Sequence, residues 1–165
     1  MEILRAILYM AALGIASHIV GQALPRSWFH YDRFPYRGYA WERGGAVYER
    51  LHIRSWKKRL PDMSRIMRYM VPKRVEQQMG AAELDILIRE TCVAEIVHVA
   101  LCLLSPTIYH FCRNLVGVLF SAIFAFGNLP FILIQRYNRP KLVHLMKRLE
   151  KREGRGEHAR TDPVG

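Results

Sequence analysis

Charge is almost missing from two long stretches of this chain. Residues 3–24 and 92–135 hold only Arg5, Glu95 and Arg113 as charged side chains. Acidic residues are scarce throughout, 14 against 25 Lys and Arg, which leaves a net charge of +11. Within 165 residues, these apolar blocks leave no room for a nucleotide-binding α/β domain beside them. An apolar content of 51% gathered into blocks also excludes a disordered chain. Cysteine is sparse: Cys92, Cys102 and Cys112 have no zinc-site spacing and are expected to be free thiols. The G-x-S-x-G elbow, the P-loop, H-E-x-x-H and H-x-x-x-x-D are all absent, so no metal or cofactor is expected. With neither zinc-finger spacing nor an RNP-type aromatic motif, the basic character points to anionic lipid head groups and not to nucleic acid.

What remains is the pattern of a small all-α membrane protein. A bilayer core of about 30 Å needs roughly 20 apolar helical residues. Spans are expected at about 3–24, 92–111 and 115–134, with the second helix starting near Ala81, where Glu83, Asp85 and Glu90 suit a helix N-terminus. The first span is read as an uncleaved anchor, because its start is barely basic and no A-x-A site precedes Pro25. A short turn around Cys112–Asn114 makes the other two an antiparallel hairpin. Of the 25 basic residues, 14 lie between Pro25 and Thr91 and nine follow Gln135. The positive-inside rule makes that side cytoplasmic, with the N-terminus outside, in a multi-pass protein of the cell membrane. Residues 1–151 are expected to form one membrane domain and 152–165 a mobile polar tail.

The segment 25–91 is expected to lie at the cytoplasmic interface and to carry amphipathic helices. Trp28, Phe29, Tyr31, Phe34, Tyr36, Tyr39, Trp41 and Tyr48 alternate there with arginines, as suits rings and cations at head-group depth. Helical signals resume near Val47, and Leu51, Trp56 and Leu60 share an apolar side until Pro61. The Met-rich stretch 64–79 suits a membrane-surface helix, or a lid or acyl-chain groove.

At about 100° per residue, Thr91, Glu95, His98 and Cys102 share one helical face. Ionisable groups at membrane depth normally face a bundle interior or a wet cavity. Glu95 and His98, three residues apart, can interact directly, the carboxylate orienting an imidazole that serves as general base. The same pair can also simply join helices. Ser121, Asn128 and Gln135 form a stripe on the last span, and Gly14, His18 and Gly21 one on the first. After the last span comes Gln135-Arg136-Tyr137-Asn138-Arg139-Pro140-Lys141, whose cations suit an anion. Pro140 is expected to bias Arg139 toward an extended backbone.

Three blocks together resemble the glycosyl-4,4'-diaponeurosporenoate acyltransferase family of bacterial carotenoid pathways. They are Trp56-Lys57 leading to Leu60; Arg89-Glu90-Thr91 with Ala94-Glu95-Ile96-Val97-His98; and Asn128-Leu129-Pro130 running into QRYNRPKL. Lys141 replaces an arginine expected there, keeping the charge but losing the planar fork. The resemblance implies a membrane O-acyltransferase that moves a fatty acyl group onto a sugar hydroxyl of a carotenoid glycoside. Its partners would be membrane lipid, the lipid-linked acceptor and an acyl donor, a thioester whose carrier the sequence does not identify. On the matching positions, the residue chemistry makes His98 the base and Glu95 its orienting partner. Arg136, Asn138 and Arg139, with Tyr137, Glu90 and Asn128, would bind substrate, and Trp56 and Lys57 would line the mouth. The alternatives are a transferase acting on a different glycolipid and a small membrane adaptor without catalysis.

Overall fold

The computed structural model describes residues 1–56 and 80–161. These are almost wholly helical, with no strand among them. Three long helices dominate: α1 (Glu2–Ala23), α2 (Ala81–Leu104) and α3 (Leu115–Thr161). Each is long and apolar enough to cross a membrane, the candidate spans covering Glu2–Ala23, Ala81–Phe111 and Leu115–Arg152. At 1.5 Å per residue, the 22 residues of α1 reach about 33 Å. Its Ile3, Leu4, Ile7, Leu8, Ile15, Ile19 and Val20 are exposed, an apolar surface of the kind a membrane-crossing helix turns to lipid.

Local sequence sets the helix ends. Leu24 is extended (φ −64°, ψ 127°) because Pro25 follows, which stops α1. At the start of α2, the Gly80 N–H donates to Glu83 Oε2 at 3.1 Å. Pro106 lies in the turn where α2 tightens into a 3₁₀ segment, Ser105–Phe111. Asn114 then caps α3, its Oδ1 accepting from Val116 N–H at 2.9 Å and Gly117 N–H at 3.3 Å. A Cβ at Gly117 would lie 1.8 Å from the Cys112 carbonyl oxygen, so only glycine closes this hairpin.

The α2–α3 hairpin forms the body, and α1 runs antiparallel to α2 along it. Near the hairpin tip, buried Ala6 packs with Ile108 and Cys112, and Tyr9 shares a 2.8 Å hydrogen bond with Thr107. At the other end, Gly21 approaches Val97 and Val93. The N-terminus and the hairpin tip therefore share one end. Residues 25–56, the start of α2 and the charged part of α3 share the other.

Two expectations change. The last helix does not stop at Ile134: it continues through Pro140, and Arg139 is helical, not extended. Tertiary packing overrides the proline, because Leu142, Leu145, Met146 and Leu149 form a helical apolar stripe that covers buried Leu84 and Ile88 of α2. The helix extends to Thr161, into the segment expected to be a mobile tail. At the charged end, residues 26–56 make a cap of short turns, including Ala40–Gly45, Ala46–Arg50 and Ile53–Trp56. Its rings divide by role. Trp28, Phe34 and Trp41 are exposed, whereas Phe29 packs on Cys92 and Val93, and Tyr48 packs on Ile53 and Tyr137. The expected amphipathic stretch 64–79 lies outside the described residues.

Gly117→Ala should lower the thermal midpoint of the detergent-solubilised protein, since overpacking typically costs about 1–3 kcal/mol. Gly127→Ala is the control: its added Cβ meets nothing within 4 Å. It should leave the midpoint unchanged or raise it.

Candidate functional site

Two carboxylates and two guanidinium groups meet where the cap sits on the hairpin. Glu42 comes from the cap, Glu95 from α2, and Arg136 and Arg139 from adjacent turns of α3. Glu42, Glu95 and Arg139 are only 4–5% exposed, and a charge so buried requires partners. Each has them. Glu95 accepts from Arg136 Nε at 2.8 Å on Oε1 and from Arg139 Nη2 at 2.5 Å on Oε2. Glu42 Oε1 accepts from Arg136 Nη1 at 2.5 Å and from the Tyr48 hydroxyl, while its Oε2 accepts from Tyr39 N–H at 2.8 Å. Arg136 Nη2 donates to the Pro35 carbonyl at 2.7 Å. Arg139 spends its remaining donors on Thr91 Oγ1, the Thr91 carbonyl and the Tyr36 carbonyl, at 2.9, 3.1 and 2.9 Å. The rings of Tyr39 and Tyr36 lie 5.0 and 5.5 Å from the two guanidinium carbons.

The charges cancel, two against two. Burial alone would favour a protonated Glu42. The hydrogen bonds from Tyr48, the Tyr39 N–H and Arg136 outweigh it and hold the carboxyl below the usual range. Burial and the neighbouring Glu42 carboxylate push the Tyr48 hydroxyl well above its ordinary value. A depressed carboxyl stabilises the fold above its unfolded pKa, and that contribution is lost as pH falls through the folded value. The contribution of Glu42 to holding the cap is therefore present at neutral pH and is lost in acid.

One turn further along α2, His98 does not meet Glu95, whose oxygens both belong to arginines. The expected carboxylate–imidazole pair is thus replaced. His98 Nδ1 lies 2.8 Å from Asn128 Oδ1, and Asn128 Nδ2 donates to the Phe124 carbonyl at 2.8 Å. That second bond turns the amide oxygen toward the imidazole, so Nδ1 carries the proton, and Nε2 is the nitrogen that bears the lone pair when the ring is neutral. Phe131 stacks on the ring, 4.7 Å between centroids and tilted 10°. With Nδ1–H held by the amide and no hydrogen bond to Nε2 among the described residues, the neutral form of this ring is arranged as a general base is.

The whole polar face of α2 looks onto α3: Thr91 to Arg139, Glu95 to both arginines, His98 to Asn128, and Cys102 Sγ to the Ala125 carbonyl at 3.4 Å. Ser121 bonds within its own helix. On α1, Gly21 is a packing contact against Val97, and a Cβ at Gly14 would meet nothing within 4 Å.

The other candidate residues separate. Glu90 takes a two-pronged bond from Arg26 at 2.7 and 3.1 Å. Arg26 also caps the α1 carbonyls of Gly21, Gln22 and Leu24. Tyr137 is buried with Tyr48 and Ile53, and Trp56 packs against that cluster and donates to the Leu51 carbonyl. Lys141 lies over the Tyr137 ring and reaches Glu49 at 3.1 Å. Asn138 is half-buried in α3. Lys57 lies outside the described residues. Sequence reasoning passed over Glu42, although it and Asp32 are the only acids among the arginines and rings of residues 25–48. Between cap and α3 lies a cleft of about 340 Å³, lined by Tyr31, Tyr36, Glu42, Arg136, Arg139, His144 and Lys147, among others, with His98 outside it. Among the described residues no His, Cys, Asp and Glu side chains cluster as metal ligands.

Glu95→Gln should leave two buried guanidinium groups short of a counter-charge. Removing one partner of a buried pair costs about 3–5 kcal/mol, and the effect is read as a lowered thermal midpoint in detergent.

The sequence pattern of the glycosyl-4,4'-diaponeurosporenoate acyltransferase family matches residues 25–148. Proteins bearing that name from Staphylococcus aureus strains bovine RF122 / ET3-1, MRSA252 and N315 are each 26% identical to the chain over 134 residues, 81% of this chain and 81% of theirs. No solved structure matches. The matched region starts just after α1 and takes in the cap, the four-charge network, the His98–Asn128 pair and the cleft. The chain belongs to the glycosyl-4,4'-diaponeurosporenoate acyltransferase family.

Proposed function

We propose that the protein is a membrane O-acyltransferase that esterifies a sugar hydroxyl of a carotenoid glycoside, a reading supported by relatives named glycosyl-4,4'-diaponeurosporenoate acyltransferase and by the three long apolar helices. His98 is its general base. The supporting observation is the Asn128 amide, whose oxygen faces Nδ1 and so makes Nε2 the basic nitrogen of the neutral ring. The acceptor hydroxyl gives its proton to Nε2 as its oxygen attacks the acyl carbonyl carbon. The tetrahedral intermediate collapses, the bond from carbon to the donor's leaving group breaks, and that group departs with the proton from the imidazolium. Phe131 holds the ring plane. Asn128 and Phe131 are positioning residues. Glu95 serves the fold of the site and does not touch the base.

A second reading, a helix-joining stripe without catalysis, draws support from the complete pairing of Glu95 with α3. The two readings part at His98. Acyl transfer is measured in membranes at matched protein levels. His98→Gln keeps polarity without supplying a base and should lose about 10²- to 10⁴-fold in rate. Asn128→Leu should lose part of that, because the tautomer is no longer fixed. Glu95→Gln should stay near the parent rate per folded molecule. Near-parental turnover by His98→Gln would leave only the helix-joining role.

The basic end of the molecule, with the cap and the extension of α3, is assigned to the cytoplasm by its charge, and the protein to the cell membrane. Impermeant thiol labelling of Arg37→Cys and Arg113→Cys in intact cells should modify only position 113. Labelling of both positions from outside would contradict this topology.

A further inference from the structure

The two arginines on the cleft wall are neutralised by Glu42 and Glu95, so they have little attraction left for a further anion. The uncompensated cation is Lys147, which is exposed and forms no ion pair among the described residues. His144, one turn before it, faces the same cleft. Tyr31 and Tyr36 bring hydroxyls that make no hydrogen bond among the described residues. The acids nearest Tyr31 are Asp32, Glu150 and Asp85, the last tied to Arg89 at 2.7 Å. Glu150 shares a helical face with Lys147, so at this end Lys147 and His144 stand against one carboxylate on α3. Around the cleft, residues 136–152 of α3 hold seven Lys or Arg against one Glu. At about 340 Å³ the cleft is in the range of small-ligand sites.

Resting on the acyl-transfer reading, we propose that this cleft binds the phosphate-bearing end of the acyl donor, a thioester on a pantetheine arm that ends in a nucleotide. Lys147 and His144 contact the phosphates, and Tyr36 donates a hydroxyl. Spacing supports this division of labour. Lys147 follows Phe131, the ring on His98, by 16 residues, about 24 Å along a helix. A compact donor held at Lys147 cannot also present a carbonyl near His98, whereas an extended pantetheine arm can run from Lys147 along the Arg136 side of the cleft toward the spans. The acyl chain then lies among the apolar spans, and the polar carrier stays in water.

The phosphate could also come from a lipid head group, and the experiment separates the two sources. Binding of coenzyme A to the purified protein in neutral detergent is measured by calorimetry, for the parent and for Lys147→Ala, His144→Ala and Lys151→Ala. Saturable binding is expected, weakened about tenfold or more by the first two variants. Lys151→Ala removes the same charge outside the cleft lining and should change it little. In turnover assays, Lys147→Ala should raise the donor KM and leave kcat near the parent value. Absence of saturable binding, or equal weakening by Lys151→Ala, would overturn the proposal. So would Lys147-dependent binding to phosphatidylglycerol vesicles with none to coenzyme A, which would make the cleft a head-group site. His98→Gln should still bind coenzyme A. If it both binds and turns over normally, the base assignment fails while the cleft stands. If His98 is required and Lys147 is not, the cleft fails alone.

Discussion

One buried set of charges, Glu42 and Glu95 against Arg136 and Arg139, holds together three parts of the chain that are far apart in sequence. Its value lies less in net stability than in specification. A buried ion network often contributes no more than apolar residues of similar volume would, but breaking one member is costly. Thr91 and Glu95 are spaced four apart on α2, and Arg136 and Arg139 three apart on α3. A one-residue slip of either helix turns these groups about 100° away and strands them in apolar surroundings. The network thereby fixes the register of the hairpin, and Glu42 fixes the cap to it.

Register in turn places the chemistry. With α2 and α3 locked at Glu95, His98 falls opposite Asn128 and Phe131, and the amide sets which imidazole nitrogen is basic. Toward the charged end, the same lock sets the cap over α3 and opens the cleft between them. The hairpin outruns the expected bilayer span because Leu84 and Ile88 on one arm and Met146 on the other bury each other. The cleft at the charged end and the His98–Asn128 pair within the apolar part are thus built on a single pair of helices.

Much of the architecture was legible in the sequence, because the bilayer imposes length and polarity rules that single residues report. The three spans, the hairpin and the start of α2 at Ala81 followed from charge-free runs, Pro25 and the acids of residues 83–90. The polar face of α2 was legible for the same reason. Its pairings were not, since helical spacing shows which residues share a face but not what lies opposite. Glu95 was matched to His98 by i, i+3 proximity, whereas two arginines 41 and 44 residues away compete for it with full charge and fork geometry. Pro140 suggested an end to α3, and only the stripe at 142, 145, 146 and 149 explains its continuation. Glu42 carried no periodic signal, because it sits in irregular turns.

The measurement closest to this account is a double-mutant cycle on Glu42 and Arg136, with Gln at each position alone and together, read as unfolding free energy in detergent. If the network joins cap and hairpin, the two changes will be strongly non-additive, with a coupling of about 0.5–3 kcal/mol. The double variant will then lose clearly less than the sum of the two single losses. Additive losses would mean that the two residues act independently, and the cap would not be held to the hairpin by this contact.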